Sequence, residues 1–343
     1  MNSRFASVVV GLIGAGNVVE TYHLPVLSRL PSVRIGWIAD ANLSRAEALA
    51  VAYGIPWFAA EIDCLPDVNA VLVATPVGTR WPIVEAVTGR GWHAFCEKPF
   101  AISSDEHRRM IDLARARHTR LGVGLLRRHY AGTDAARKAI RSGILGAVLD
   151  IFASEGMRVR KTGRGDNWYQ TDAAASGGGA LFEIGAHLVD QVFAICNVEG
   201  FEIDDCRQEY LAGLEFETRA TGELRMRGGD RVHFSITVTR LRDVFNGIIV
   251  RCANGQLRLG LAPDSGLEIL DRSGNSILRM DSPVRDRAAL YAAVRAEWEG
   301  FLGDIHASDQ DLKQATAFTG TEFIEACYKL GAQARVPEPR DGR

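Results

Sequence analysis

The chain is sparing with cysteine, and the few it has form no pattern: Cys64, Cys96, Cys196, Cys206, Cys252 and Cys327 include no Cys-x-x-Cys pair. That spacing argues against a zinc knuckle and against a disulfide framework, and a chain of 343 residues is long enough to fold without staples. Reduced thiols in a cytoplasmic protein are the expectation. An excess of charge is also lacking. Forty Lys and Arg stand against 42 Asp and Glu, a formal net charge of −2, so no overall field favours nucleic acid or an anionic membrane surface. No apolar run approaches the roughly 18 residues of a membrane span. The apolar start, Val8-Val9-Val10-Gly11-Leu12-Ile13, runs straight into Gly14-Ala15-Gly16, which leaves the chain looking untargeted. Internal repeats and low-complexity linkers are missing as well. What is left is a globular composition, 47% hydrophobic and 24% charged, over a length that favours two domains and small, roughly neutral partners.

Residues 8–13 read as a buried parallel strand and Asn17 to Leu30 as a helix, joined by a glycine turn. Such a turn lets backbone N–H groups at a helix N-terminus approach a pyrophosphate, aided by the helix dipole. The pattern is Gly14-x-Gly16-x-x-Val19, with Val in the third position where Gly or Ala is usual. A second strand, Arg34-Ile35-Gly36-Trp37-Ile38-Ala39, ends at Asp40, placed to accept hydrogen bonds from an adenosine ribose. Asp40 favours NAD, because a carboxylate repels a 2′-phosphate; Arg45 would instead pair with that phosphate, so NAD and NADP both stay open. Alternating strands and helices continue through Ala70–Ala74, which closes at Thr75-Pro76, and through Trp92–Cys96. That order predicts a doubly wound parallel α/β sheet over residues 1–124. The last strand runs into Glu97-Lys98-Pro99, a lysine at a strand end that would open toward a ligand, where a charge is hard to explain as packing.

From Val148 to about Leu278 the texture changes to alternating, β-branched segments such as Arg231–Val238, followed by helices near Arg285–Gly303 and Asp311–Leu330. This predicts an α+β second domain over 125–335 with a large, mainly antiparallel sheet. Within it, Ser176-Gly177-Gly178-Gly179 leads to Glu183 and His187, spaced i, i+4 on one helix face. A carboxylate beside an imidazole orients it and raises its basicity, which suits a general base. Asp190 extends the same stripe, but no second histidine joins at ligand spacing, so no metal is expected.

Gly14-Ala15-Gly16, Asp40, Thr75-Pro76, Cys96-Glu97-Lys98-Pro99-Phe100 and Gly177-Gly178-Gly179-Ala180-Leu181 with Glu183 and His187 together resemble the Gfo/Idh/MocA family. The resemblance covers nearly the whole chain. It implies a Rossmann domain, a C-terminal domain with an open sheet, and NAD(P)-dependent hydride transfer at a carbon of a sugar, cyclitol or related molecule. It also implies a homodimer or homotetramer formed through that sheet. Lys98 would contact the reacting hydroxyl, His187 would act as acid/base, and Glu183 would hold the place commonly taken by aspartate. The cofactor-facing set on this reading is Gly14, Ala15, Gly16, Asn17, Asp40, Arg45, Thr75, Pro76, Glu97 and Lys98. Two departures stand out: Arg80 where the family often has histidine after Thr-Pro, and Glu183 in place of the shorter Asp.

Around these residues, Arg127 and Arg128 follow a strand end, and Arg128 is a candidate for a substrate hydroxyl or carboxylate. The basic, glycine-punctuated stretch 158–169 offers Trp168 and Tyr169 as rings to stack on a sugar face. Cys96 raises the idea of a thiol-dependent semialdehyde dehydrogenase, which needs an accessible thiolate. A non-catalytic, NAD(P)-sensing regulator on the same fold is the alternative from another class.

Overall fold

A computed structural model describes residues 7–158, 177–211, 213–263, 265–281, 287–307 and 311–333. The chain divides into two units, the first comprising residues up to 129 with 287–318, the second the remainder.

In the first unit, β1 (Val8–Ile13), β2 (Val33–Ala39), β3 (Trp57–Ala59), β4 (Ala70–Val73), β5 (His93–Glu97) and β6 (Leu121–Gly124) form one parallel sheet in the order β3-β2-β1-β4-β5-β6. Strand order reverses between β1 and β4, the crevice where such sheets take ligands. The strands are apolar on both faces because helices cover both. Along β4, Val71 and Val73 enter one core cluster with Trp37, Val84 and Met110, while Ala70 and Leu72 enter the other with Leu12, Leu24 and Ile38. That division is the period-two alternation of a strand. The helices of this unit are α1 (Leu24–Leu27), α2 (Leu43–Tyr53), α3 (Arg80–Gly89), α4 (Ser104–Ala116) and α7 (Arg287–His306). The last belongs to the first unit by its contacts, whereas sequence order placed it in the second domain; Trp298 stacks on Phe95 with ring centres 4.5 Å apart. A long α7 therefore returns to complete the core beneath β5.

The second unit holds an eight-stranded sheet of β7 (Val148–Gly156), β8 (Val198–Leu211), β9 (Leu214–Met226), β10 (Arg231–Thr239), β11 (Gly247–Cys252), β12 (Gly255–Gly260), β13 (Leu267–Asp271) and β14 (Ser276–Met280). Its order is β14-β13-β12-β11-β7-β10-β9-β8, antiparallel throughout except for the β7–β10 pair. Val232, Phe234, Ile236 and Val238 of β10 are buried in alternation with His233 and Ser235. Phe323, on α9 (Phe318–Gln333), meets Phe193, Phe201 and Phe234 edge-on at 5.2–5.6 Å, and Phe193 belongs to α6 (Ala186–Cys196). The unit also contains α5 (Ala131–Arg141).

Two helices differ from the sequence reading. In place of one helix over 17–30, a π-helical turn spans Val19–His23 and passes into the short α1, where Pro25 lacks the N–H that continued α-helical bonding needs. In place of one helix over 311–330, α8 (Leu312–Ala315) and α9 are separated at Ala317, whose φ of 56° is left-handed.

Candidate active site

The first group of candidate residues lies at the C-terminal ends of β1, β2, β4 and β5. Gly14 has φ +104°, and a Cβ there would stand 2.8 Å from the Ala74 carbonyl oxygen, so the turn requires glycine. Gly16 is different: among the described residues a Cβ would meet nothing within 4 Å. Its smallness serves no packing among the described residues and leaves room for a group from outside. Asp40 is drawn onto this turn, one carboxylate oxygen accepting from the Ala15 amide at 2.6 Å and the other from the Asn42 amide at 2.7 Å. Asn42 caps α2 by accepting from the Arg45 amide, and the Asn17 side chain accepts from Thr21 Oγ1 at 2.9 Å. At the end of β4, the Thr75 hydroxyl is buried with no hydrogen-bond partner among the described residues. An open glycine turn, a fixed carboxylate and an orphaned hydroxyl at a switch point fit a dinucleotide.

At the end of β5, Cys96 is fully buried and its thiol is pushed up to about 12 by burial, so it supplies no thiolate and the thiol-dependent alternative falls. Glu97 is turned inward: Oε1 lies 2.8 Å from His23 Nε2, and Oε2 accepts from the Lys98 amide at 3.0 Å. Trp298 Nε1 donates to His23 Nδ1 at 3.0 Å. Because an indole only donates, the His23 proton sits on Nε2 and points at Glu97. Burial alone would raise the Glu97 carboxyl, but the His23 bond and the charges of Lys98 and Arg80 outweigh it and hold the group below the usual carboxylate range. Gly124 leaves space for this carboxylate, since a Cβ there would approach Oε1 to 2.9 Å. Lys98 itself is half-buried, and its bond to Pro99 is cis. Arg80, 1% exposed, donates to the carbonyls of Thr75, Glu97, Pro99 and Phe100.

Glu297, next to Trp298, is also buried, and neither of its carboxyl oxygens has a hydrogen-bond partner among the described residues. Burial, reinforced by the Glu97 charge, raises its pKa well above 4.5. The unfolded chain releases this proton near the ordinary value while the folded chain keeps it. The stability associated with the group is thus fully present below pH 4.5 and is lost as pH rises toward the folded pKa. Glu297→Gln removes that dependence. Denaturant unfolding should find the variant gaining on the parent protein above pH 4.5, by up to about 1.4 kcal/mol per pH unit. A stability difference that stays constant with pH would contradict this.

The second group lies in the other unit. Gly177 adopts φ +80°, and the backbone at Gly179 passes directly against the Glu215 carbonyl, with no room for a Cβ. Tyr328 Oη accepts from the Gly179 amide at 2.9 Å and donates to Glu215 Oε2 at 3.1 Å. Glu215 Oε2 also accepts from the Leu181 amide at 2.8 Å, so a buried carboxylate from β9 caps the helix that follows. That helix opens as a π-helical turn, Leu181–Gly185, before α6. Such turns are rare and occur often at functional sites. Glu183 lies within the turn and His187 just beyond it, both half-buried. Glu183 forms an ion pair with Arg240, which follows β10. The i, i+4 reading anticipated His187 as the neighbour of Glu183 and did not anticipate this arginine. Arg128 lies half-buried in the turn Leu126–His129, whereas Trp168 and Tyr169 fall outside the described residues. Among the described residues no group of three or more His, Cys, Asp or Glu side chains could hold a metal ion, and no helix is long and apolar enough to cross a membrane.

His23, Trp298, Tyr328 and Arg240 escaped the sequence reading. The signals were faint: a lone histidine in an apolar helix, and partners up to 275 positions apart.

Two family models match the chain. A family described as oxidoreductases with an NAD-binding Rossmann fold matches residues 8–125, and the GFO/IDH/MocA C-terminal domain matches residues 133–258. The chain belongs to the Gfo/Idh/MocA family. It is 30% identical to D-glucoside 3-dehydrogenase of Escherichia coli K12 over 186 residues, 53% of this chain and 52% of that protein. Over 139 residues it is 33% identical to inositol 2-dehydrogenase of Rhizobium meliloti, 40% of this chain and 42% of the other. The matched part spans about half the length of such curated relatives. Among solved structures, the aldose-aldose oxidoreductase of Caulobacter crescentus superposes with a TM-score of 0.80 at 18% identity, covering 96% of this chain and 98% of that one. This Gfo/Idh/MocA chain therefore carries the family's NAD-binding Rossmann domain, followed by its C-terminal domain.

Proposed function

We propose that this protein is an NAD(P)-dependent oxidoreductase acting at a hydroxyl or keto carbon of a sugar, cyclitol or sugar derivative. The observation that carries the reading is the inward Glu97, bound to His23 and to its neighbour's amide, which fixes a half-buried lysine at the mouth of a dinucleotide fold. The names of the relatives, a glucoside and an inositol dehydrogenase, support the substrate class. A bound nicotinamide supplies the hydride acceptor or donor. Lys98 would donate a hydrogen bond to the reacting oxygen and stabilise developing alkoxide, and His187 would take or return the proton. Glu183, its charge neutralised by Arg240, would support His187. That pairing is also the one observation favouring the alternative, a non-catalytic NAD(P)-sensing protein, because it engages the carboxylate proposed to support the base.

We further propose NAD as the preferred cofactor. Asp40 is held by two amides beside the glycine turn, so its charge cannot swing away from a 2′-phosphate. Asp40→Ser is expected to raise KM for NAD about tenfold or more and to move selectivity toward NADP, consistent with loss of a charge-assisted hydrogen bond. Unchanged selectivity would contradict the assignment. A homodimer or homotetramer through the open face of the eight-stranded sheet is proposed as well. That face carries the cross-strand rows His233–Asp150–Arg251 and Ser235–Phe152–Ile249. The experiment for the main reading is a screen of purified protein against myo-inositol, methyl D-glucosides and free aldoses with each cofactor. Appearance of reduced nicotinamide supports it, and binding of NAD(H) without turnover of any of them favours the sensor.

A further inference from the structure

Arg80 stands in a place that folding alone disfavours twice. It is the first residue of α3, where the positive end of the helix dipole repels a cation. It is also 1% exposed, and burying a guanidinium costs several kcal/mol unless the charge is compensated. No carboxylate among the described residues lies within ion-pair distance of it, although the Glu97 and Glu106 charges act on it from farther away. A leucine or methionine would fill the space without the penalty. Its hydrogen bonds go to carbonyl oxygens, and their identity is the informative point. Nη1 donates to the carbonyls of Glu97 and Pro99, the residues flanking Lys98, and reaches Phe100 at 3.4 Å. Nη2 donates to Thr75 at 2.7 Å, at the end of the adjacent strand β4.

We propose that Arg80 is the positioning residue of Lys98: its guanidinium bolts the residues flanking the lysine, through the Glu97 and Pro99 carbonyls, to the end of β4 and so fixes where the ammonium stands. The inference rests on the proposed role of Lys98 in handling the substrate oxygen. The planar fork of arginine reaches carbonyls of two strands at once, which the single ammonium of a lysine cannot do. Together with the Glu97 side chain, held from the other side by His23, it leaves the Lys98 backbone without freedom to drift. An ångström of drift at such a group is enough to cost about 100-fold in rate.

The test compares Arg80→Met, Arg80→Lys, Lys98→Met and the double variant Arg80→Met/Lys98→Met, with NAD and whichever of myo-inositol or methyl D-glucoside the parent protein oxidises. Arg80→Met should lower kcat about 100-fold with KM moved less than about threefold, and add nothing in the Lys98→Met background, as expected of residues acting through one another. Arg80→Lys, which keeps the charge and serves if the methionine variant does not fold, should fall between. The second readout needs no turnover. The chain has only five lysines, at 98, 138, 161, 313 and 329, so reductive methylation with carbon-13 gives few NMR signals. The Lys98 signal, assigned by its loss in Lys98→Met, should shift or broaden in the Arg80 variants while those of Lys138 and Lys329 hold. An unmoved Lys98 signal, a kcat within about twofold of the parent, or losses that multiply in the double variant would overturn the proposal. If the parent oxidises neither polyol, the functional reading fails by itself, and the Lys98 signal still decides the role of Arg80.

Discussion

Lys98→Met is expected to lower kcat roughly a thousandfold, the range seen when a positioned proton donor is removed, and to leave the melting temperature almost unchanged. The two outcomes separate because of where Lys98 sits. It is half-buried at the end of β5, and what holds the surrounding backbone belongs to other residues: the Glu97 carboxylate, His23 and the Arg80 guanidinium. Methionine has a similar reach without the charge, so it removes hydrogen bonding to a developing alkoxide while keeping bulk. NADH binding, followed by fluorescence, should weaken far less than turnover falls. Steady-state kinetics on the best polyol of the screen, beside a thermal melt, checks both halves. Turnover within a few fold of the parent would remove Lys98 from the chemistry.

Gly179→Ala is expected to be the most damaging single methyl addition in the second unit. Gly179 lies against a backbone carbonyl of Glu215, which cannot turn aside as a long side chain would. The same two segments are joined through Tyr328, which bonds both the Gly179 amide and the Glu215 carboxylate. Separating them therefore strains the cap on Leu181 and leaves a buried carboxylate short of partners. Overpacking of this kind costs about 3 kcal/mol at the upper end of its usual range. Because Glu183 donates its amide to the Gly179 carbonyl, the displacement reaches the turn that carries Glu183. Denaturant unfolding should show the loss of stability, and kcat of the folded fraction should fall as well. A variant as stable as the parent would mean that the Gly179 contact is not as close as described.

Much of the first unit was legible because its signals are local. The glycine turn, the acidic residue at the end of β2 and the apolar strands each follow from a few neighbouring residues, and the parallel order follows from their alternation with helices. The open sheet of the second unit was legible from the alternation in β10. What the sequence could not show are partnerships across long separations. Arg80 looked like a departure beside Thr75-Pro76, and only the fold reveals that it faces the carbonyls around Lys98. Glu183 and His187 had helical spacing, but a π-helical turn and an arginine from the end of β10 set the surroundings of Glu183. The helix 287–306 groups with the first unit, which order along the chain does not show once a chain returns to an earlier core.

The most direct measurement of the central claim follows the hydrogen itself. A polyol from the screen carrying deuterium on its carbinol carbons is incubated with the protein and NAD, and the reduced cofactor is examined by mass spectrometry. Deuterium at nicotinamide C4, formed by the parent protein and nearly absent with Lys98→Met, is the predicted result. Tight NAD binding with no deuterium transferred from any polyol of the panel would contradict the assignment and leave a protein that senses the cofactor without using it.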